Sequence, residues 1–199
     1  MVSSPSRRPF EFVANHMVLD FINTVNARPV FTRDDLRVAG DIADWARAAG
    51  VVASTDQAMR RHPDFVAQFD AAVALREQLY GVFGPIAAGG DPHDSALATV
   101  VRCAAAAVPT ARWSRAGNGY EPTWLVGSIE SLCDRLADEA VQLLRSPGVF
   151  RVRACDGCGW LFLDTSRAHA RRWCSMNACG ARHKMRRYHQ RRASATVAP

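Results

Sequence analysis

Lysine is nearly absent from this chain: 24 of its 25 basic residues are arginine, and the remaining one is Lys184. No apolar run reaches the ~20 residues that a bilayer-spanning helix needs, so no membrane partner is expected. No basic-apolar-small cleavage pattern opens the chain, and a cytoplasmic, reducing location is the expectation that follows. Catalytic signatures are missing as well. There is no G-x-S-x-G, no H-E-x-x-H and no glycine-rich phosphate loop, so the chain does not read as an enzyme. No internal repeat is visible. With 199 residues, 48% of them hydrophobic and 22% charged, there is room for one ordinary globular domain and a small second one.

What is present is concentrated near the C-terminus. Four of the six cysteines follow the pattern C-x2-C, fifteen residues, C-x4-C: Cys155, Cys158, Cys174 and Cys179. Two close-spaced pairs allow three chemistries, namely a redox dithiol, two disulfides, or a metal held by four thiolates. In a reducing compartment, separate pairs favour metal. Soft thiolates in fours suit one zinc ion, and a site closed by four of them leaves no position open for a substrate. Asp156-Gly157 is a turn former inside the first pair. Trp160 to Leu163 reads as a strand, Asp164-Thr165-Ser166 as a turn, and Arg171-Arg172-Trp173 as the return that makes a hairpin toward the second pair. A helix follows Cys179. Knuckle, hairpin and ligand-bearing helix make a treble clef.

The charge is just as uneven. Residues 150–192 carry eleven Lys and Arg against two acids, while the rest of the chain carries fourteen against seventeen. A basic module on a mildly acidic body points to a polyanion partner for the C-terminal part. The nucleic-acid candidates are Arg171 and Arg172 before the second cysteine pair, then Arg182, Lys184, Arg186, Arg187, Arg191 and Arg192 on or beyond the last helix. Arg182 and Arg186 share a face at i, i+4 and are the candidates for base-edge contacts.

The run W-C-S-M-N-A-C-G-A-R-H-K-M-R-R-Y, with R-V-R-A-C-D-G-C-G-W-L-F-L-D-T-S-R before it, resembles the CGNR-type zinc finger. Cys155, Cys158, Phe162, Asp164, Arg171, Trp173, Cys174, Cys179, Gly180, Arg182 and Lys184 match that signature. Ala181 stands where the signature has Asn, which deletes an amide but leaves all four ligands in place.

Upstream, Val18, Leu19, Phe21, Ile22 and Val25 fall at helical spacing up to Pro29, after a short alternating strand at Phe10–Val13. The segment L-D-F-I-N-T-V-N-A-R resembles the L-D-F-x-N-T motif that opens the ABATE domain. Asp20, Asn23, Thr24 and Arg28 are its polar residues, and with Trp45 they are the candidates for a small-molecule effector site. Helices are expected at Asp41–Ala46, around Ser54–Arg61, from Pro63 to Gly84-Pro85 with Phe65, Phe69, Val73, Leu79 and Val82 inward, and at Ser95–Val108. A hairpin is expected around Gly117-Asn118-Gly119. Ser128–Arg145 is expected as an amphipathic helix burying Ile129, Leu132, Leu136, Ala140 and Leu143. Ser146-Pro147-Gly148 reads as a hinge. Cys103 and Cys133 read as packing residues.

The expected fold is therefore α+β: a mostly helical N-terminal domain with a small hairpin over residues 10–147, and a C-terminal treble-clef zinc finger over residues 150–192. The resemblance implies a bacterial transcription regulator of a type named for stress induction, with DNA as its partner. An RNA-binding protein, a zinc module for an acidic protein partner and an enzyme with an unrecognised site are the alternatives. A homodimer is left open.

Overall fold

The computed structural model describes residues 9–26, 28, 33–52 and 57–196. The Pro29 helix stop, the Ser54 start of a helical turn and the Ser/Pro/Arg-rich start of the chain lie outside them.

The first helix is shorter and deeper than the apolar spacing suggests. Helix α1 runs Met17–Ile22, and Val18, Leu19, Asp20, Phe21 and Ile22 are all buried. A helix with almost no solvent face belongs at the centre of a fold. His16 caps it, its Nδ1 accepting the Val18 N–H at 3.3 Å. It ends where Thr24 Oγ1 donates to the Phe21 carbonyl at 2.8 Å. Val25–Asn26 is then strand β1, antiparallel to β2 (Arg33–Asp34), where helix was expected. Phe10–Val13, expected as a strand, forms no ladder.

Helix α2 (Ala39–Ala48) buries Ile42, Ala43, Trp45 and Ala46, and α3 (Gln57–Arg60) is a single turn. Helix α4 (Phe69–Ala87) starts six residues later than expected and runs through Pro85. Pro85 is tolerated because the carbonyl that its missing N–H leaves unused, Gly81 O, accepts the His93 N–H at 3.1 Å. Gly81 also admits the close approach of α5 (Asp94–Ala107): a Cβ there would stand 2.9 Å from the Ala96 Cβ. The buried stripe of α4 is Ala72, Leu75, Arg76, Leu79, Val82 and Phe83. Phe65 precedes the helix, and Phe69 and Val73 lie half-buried at the margin of that stripe. Strands β3 (Arg112–Ala116) and β4 (Gly119–Thr123) form the expected hairpin. Helix α6 (Ile129–Arg145) is capped by Ser128 and buries all five expected residues.

Arg76 occupies the interior because its charge is met there. It is 1% exposed and grips Asp34 with two bonds of 2.7 and 2.6 Å, Glu77 with a third of 3.0 Å and Thr24 Oγ1 with a fourth of 3.1 Å. Arg28 holds Glu77 at 2.6 and 2.7 Å and lies 4.3 Å above the Tyr80 ring. These pairs fasten the β1–β2 segment onto α4.

The expected hinge is instead a packed 3₁₀ turn, Pro147–Arg151, with Val149 buried. Strand β5 (Val152–Ala154) pairs with β6 (Leu161–Leu163), and helix α7 (Ala181–Thr196) closes the described chain. The other edge of β6 is taken by the N-terminal part. Asn23 Nδ2 donates to the Leu161 carbonyl at 2.8 Å, and Asn23 Oδ1 accepts the Leu161 N–H at 2.9 Å. Two residues on, Leu163 N–H reaches the Ala14 carbonyl at 2.8 Å, and Asn15 Nδ2 reaches the Leu163 carbonyl at 3.1 Å. Alternate residues of one strand turn their backbone groups to the same side, so Asn23 and Ala14-Asn15 together act as a third strand. The hydrophobic core accordingly runs unbroken from Val18 and Leu19 to Phe162 and the cysteines.

Asn23→Ala removes both partners of a buried peptide unit. At about 1–3 kcal/mol for each of the two buried groups left unsatisfied, the variant should lose about 2–6 kcal/mol, read from denaturant midpoints.

Candidate metal centre and the basic helix

The four cysteines converge from two directions. Cys155 and Cys158 lie in the turn between β5 and β6, where Cys155 N–H bonds the Trp160 carbonyl at 2.8 Å and Gly159 N–H bonds the Cys155 carbonyl at 2.8 Å. Gly159 has φ +76, and a Cβ there would stand 2.8 Å from the Arg28 carbonyl oxygen. Both the backbone and the space therefore require glycine. Cys174 precedes and Cys179 lies within a π-helical turn, Met176–Gly180, which Ser175 opens by accepting the Ala178 N–H at 3.2 Å. The partner of β6 in the hairpin is β5, which precedes the knuckle. Residues 171–173, expected to return as a strand, form a loop built on buried Asp164, which accepts the N–H groups of Ser166 and Arg171, both at 2.9 Å.

The four sulfurs lie within 4.8 Å of one another. Cys158 and Cys174 are 3.6 Å apart, and Cys174 and Cys179 are 3.7 Å apart. A disulfide needs about 2.05 Å. A tetrahedron of thiolates around zinc at about 2.3 Å has edges of about 3.8 Å, which these separations match. Hydrogen bonds from Cys158 and Cys174 hold the Cys155 thiol far below the usual thiol range. The same bond to Cys155 pushes Cys158 up to about 12 and raises Cys174. Thiolates packed this closely repel one another, and a bound dication would offset that repulsion. Donor set and geometry both fit one zinc ion.

Two of the arginines assigned to nucleic acid also contact this centre. Arg182 donates to the Cys179 sulfur at 3.1 Å. Arg171 gives its Nε to the Trp173 carbonyl at 2.7 Å and another nitrogen to the Cys174 carbonyl, with its guanidinium 4.8 Å above Phe162. Arg172 is exposed and paired with Asp156 at 2.7 Å. Lys184, Arg186, Arg187, Arg191 and Arg192 are exposed on α7, and Arg192 reaches Tyr188 Oη at 3.3 Å. His183 packs on Trp173 with ring centres 4.7 Å apart, which fixes the root of the helix. Sequence spacing groups the cations by helical face. The metal and the carbonyls around it decide which of them are already engaged.

Residues 15–147 match the ABATE family, described as "Putative stress-induced transcription regulator", and residues 151–192 match the CGNR zinc finger. The chain belongs to the ABATE family. No match was found among curated proteins. In this ABATE chain the arginine of the CGNR signature is Arg182, the donor to a zinc ligand, a contact that orients a metal site from its second layer. Ala181, at the position of the signature Asn, is exposed and keeps helical backbone angles, so the centre forms without that amide.

The five N-terminal candidates do not meet in one pocket. Asn23 fastens β6, Thr24 bonds Phe21 and Arg76, and Arg28 bonds Glu77. Asp20 and Trp45 do share a cleft of ≈ 460 Å³ with Phe12, Asn15, His16, Met17, Ala48 and Ala49. Asp20 Oδ1 accepts the N–H groups of Val13 and Ala14, both at 3.0 Å, and burial pushes its pKa up to about 6. Sequence reading missed Asn15, whose φ of +58 is uncommon away from glycine. It also missed Arg76, whose signal was an arginine inside an apolar helical stripe. Cys103 and Cys133 are half-buried, and burial pushes the Cys133 thiol up to about 12, as befits packing residues.

Elemental analysis should find one zinc per chain, and Cys174→Ser should lose it. Arg182→Ala should keep the ion but hold it about 10–100-fold more weakly in competition with a chromophoric chelator.

Proposed function

We propose that this protein is a zinc-dependent, DNA-binding transcription regulator whose helical body responds to a small ligand. The observation that carries the reading is α7. Its main packing partner is the turn that holds Cys179, and its side chains from Lys184 to Arg192, five of them basic, are all exposed. Lys184, Arg187 and Arg191 recur at i, i+3 and i+7 and form one cationic stripe. A helix anchored at a metal and basic along its length suits a phosphate backbone. With Arg171 and Arg182 in contact with the centre, base reading falls chiefly to the exposed length of α7 from Lys184 onward.

Five phosphate contacts at about −0.9 each give a slope of about −4.5 for log affinity against log salt on duplex DNA. Arg187→Ala should flatten that slope by about 0.9 and weaken all sequences alike. A salt-independent affinity, or tighter binding to an RNA hairpin or an acidic polypeptide than to duplex DNA, would refute the DNA reading.

The ligand reading rests on the Asp20 cleft. Asp20 is 8% exposed and is the one charged residue among those lining the cleft, and the aromatic walls are Phe12 and Trp45. That combination favours a small organic cation. Benzyltrimethylammonium should raise the melting temperature of wild type and leave Asp20→Asn unmoved. The effect should fade as pH falls through about 6, because a protonated Asp20 no longer attracts the cation. Equal shifts for both proteins, or none for either, would count against the cleft.

A further inference from the structure

The β3–β4 hairpin is exposed along nearly its whole length. Trp113 is 52% exposed and Tyr120 69%. Its two edges differ. The closing pair of a two-residue hairpin, here Ala116 and Gly119, is a hydrogen-bonded pair, and such pairs alternate with non-bonded ones. Arg112–Thr123 and Ser114–Glu121 are then bonded across the hairpin, while Trp113–Pro122 and Arg115–Tyr120 are not. Pro122 falls on a non-bonded pair, where its lack of an N–H costs the ladder nothing. The same proline blunts the outer edge of β4. Glu121, Pro122 and Thr123 of β4, with Trp113 of β3, line a cleft of ≈ 470 Å³ opposite Arg135 and Glu139 of α6. The outer edge of β3 has no such device. Among the described residues no other strand pairs with it, and Trp113 and Arg115 turn their N–H and C=O groups outward along it.

We infer that this edge is the pairing surface for a second copy of the chain, β3 against β3 about a two-fold axis. Only registers that bring outward residues opposite each other satisfy the backbone. One centred on Trp113 and one centred on Arg115 each engage three residues of the strand, and the latter opposes two like charges. The register centred on Ser114 engages all five residues of β3. It sets Trp113 opposite Arg115 of the partner copy, and Arg115 opposite that copy's Trp113, an aromatic–cation pairing made twice by symmetry. Tyr120 and Pro122 flank these pairs on the same face, so each arginine lies between two aromatic rings. The surface is self-complementary, as an isologous dimer requires. Each dimer would carry two zinc modules.

Two variants of the full-length, zinc-loaded protein test this. Arg115→Pro removes an outward N–H without touching the hairpin's own ladder, the device that Pro122 already uses on the other strand. Ser114→Cys places two thiols at the non-bonded pair on the axis, where Cβ atoms lie about 4.5–5.5 Å apart. Sedimentation at tens of micromolar should give a dimer for wild type and a monomer for Arg115→Pro. Oxidised glutathione should convert Ser114→Cys, and not wild type or Arg112→Cys, to a covalent dimer on a non-reducing gel. A monomeric wild type would overturn the proposal. So would a dimer that persists in Arg115→Pro while Ser114→Cys fails to cross-link.

Discussion

The edge of β6 is the constraint on which the rest of the molecule depends. A hairpin of two three-residue strands cannot satisfy its own backbone, and an open edge beside a metal site would be wetted or would pair elsewhere. Here the edge is filled by the Asn23 amide and the Ala14-Asn15 backbone. A side-chain amide can imitate a peptide unit because it offers one donor and one acceptor in a plane. Asn23 is held in place by the buried helix α1 that carries it, and Ala14-Asn15 by the Asp20 carboxylate on that same helix. The helix is therefore short and buried on all sides because it serves two neighbours, the helical body and the zinc module.

This arrangement links the cleft to the metal through few bonds. Asp20 Oδ1 holds Val13 and Ala14, Ala14 accepts from Leu163, and Asn15 bonds both Leu163 and Thr165. Asn15 lines the Asp20 cleft on one side and a smaller one against Arg171 and Cys174 on the other. Asp20 thus stands one hydrogen-bonded residue away from β6, whose preceding turn carries Cys155 and Cys158. On the opposite flank, the Arg28–Glu77–Arg76–Asp34 network holds the β1–β2 segment, and Arg28 lies against Gly159 of the knuckle.

The basic residues divide by what lies next to them. Arg171 and Arg182 give donors to carbonyls and a sulfur within the module, and Arg28 and Arg76 give theirs to the half-buried carboxylates of Glu77 and Asp34. Beyond Arg182, α7 carries Lys184, Arg186, Arg187 and Arg191 exposed and has no acidic residue of its own. A planar fork of five donors suits Arg28, Arg76 and Arg171, each of which meets two or more acceptors at once.

The sequence alone determined the metal centre, because thiolate chemistry and the C-x2-C and C-x4-C spacings leave little freedom. It determined α6 as well, where a capping serine and an apolar stripe of period 3.6 agree, and the β3–β4 hairpin, where turn residues sit between two short runs. The CGNR and L-D-F-x-N-T motifs marked both parts of the chain. Tertiary structure decided what those motif residues do. Asn23 in a sequence is an amide on a helix, and only the approach of β6, 138 residues away, makes it a joint. Arg182 in a sequence is one cation among eight, and only the folded turn at Cys179 sets it on a sulfur. The end of α1 and the late start of α4 were settled in the same way, since local apolar spacing records which faces are buried but not which long-range partner buries them.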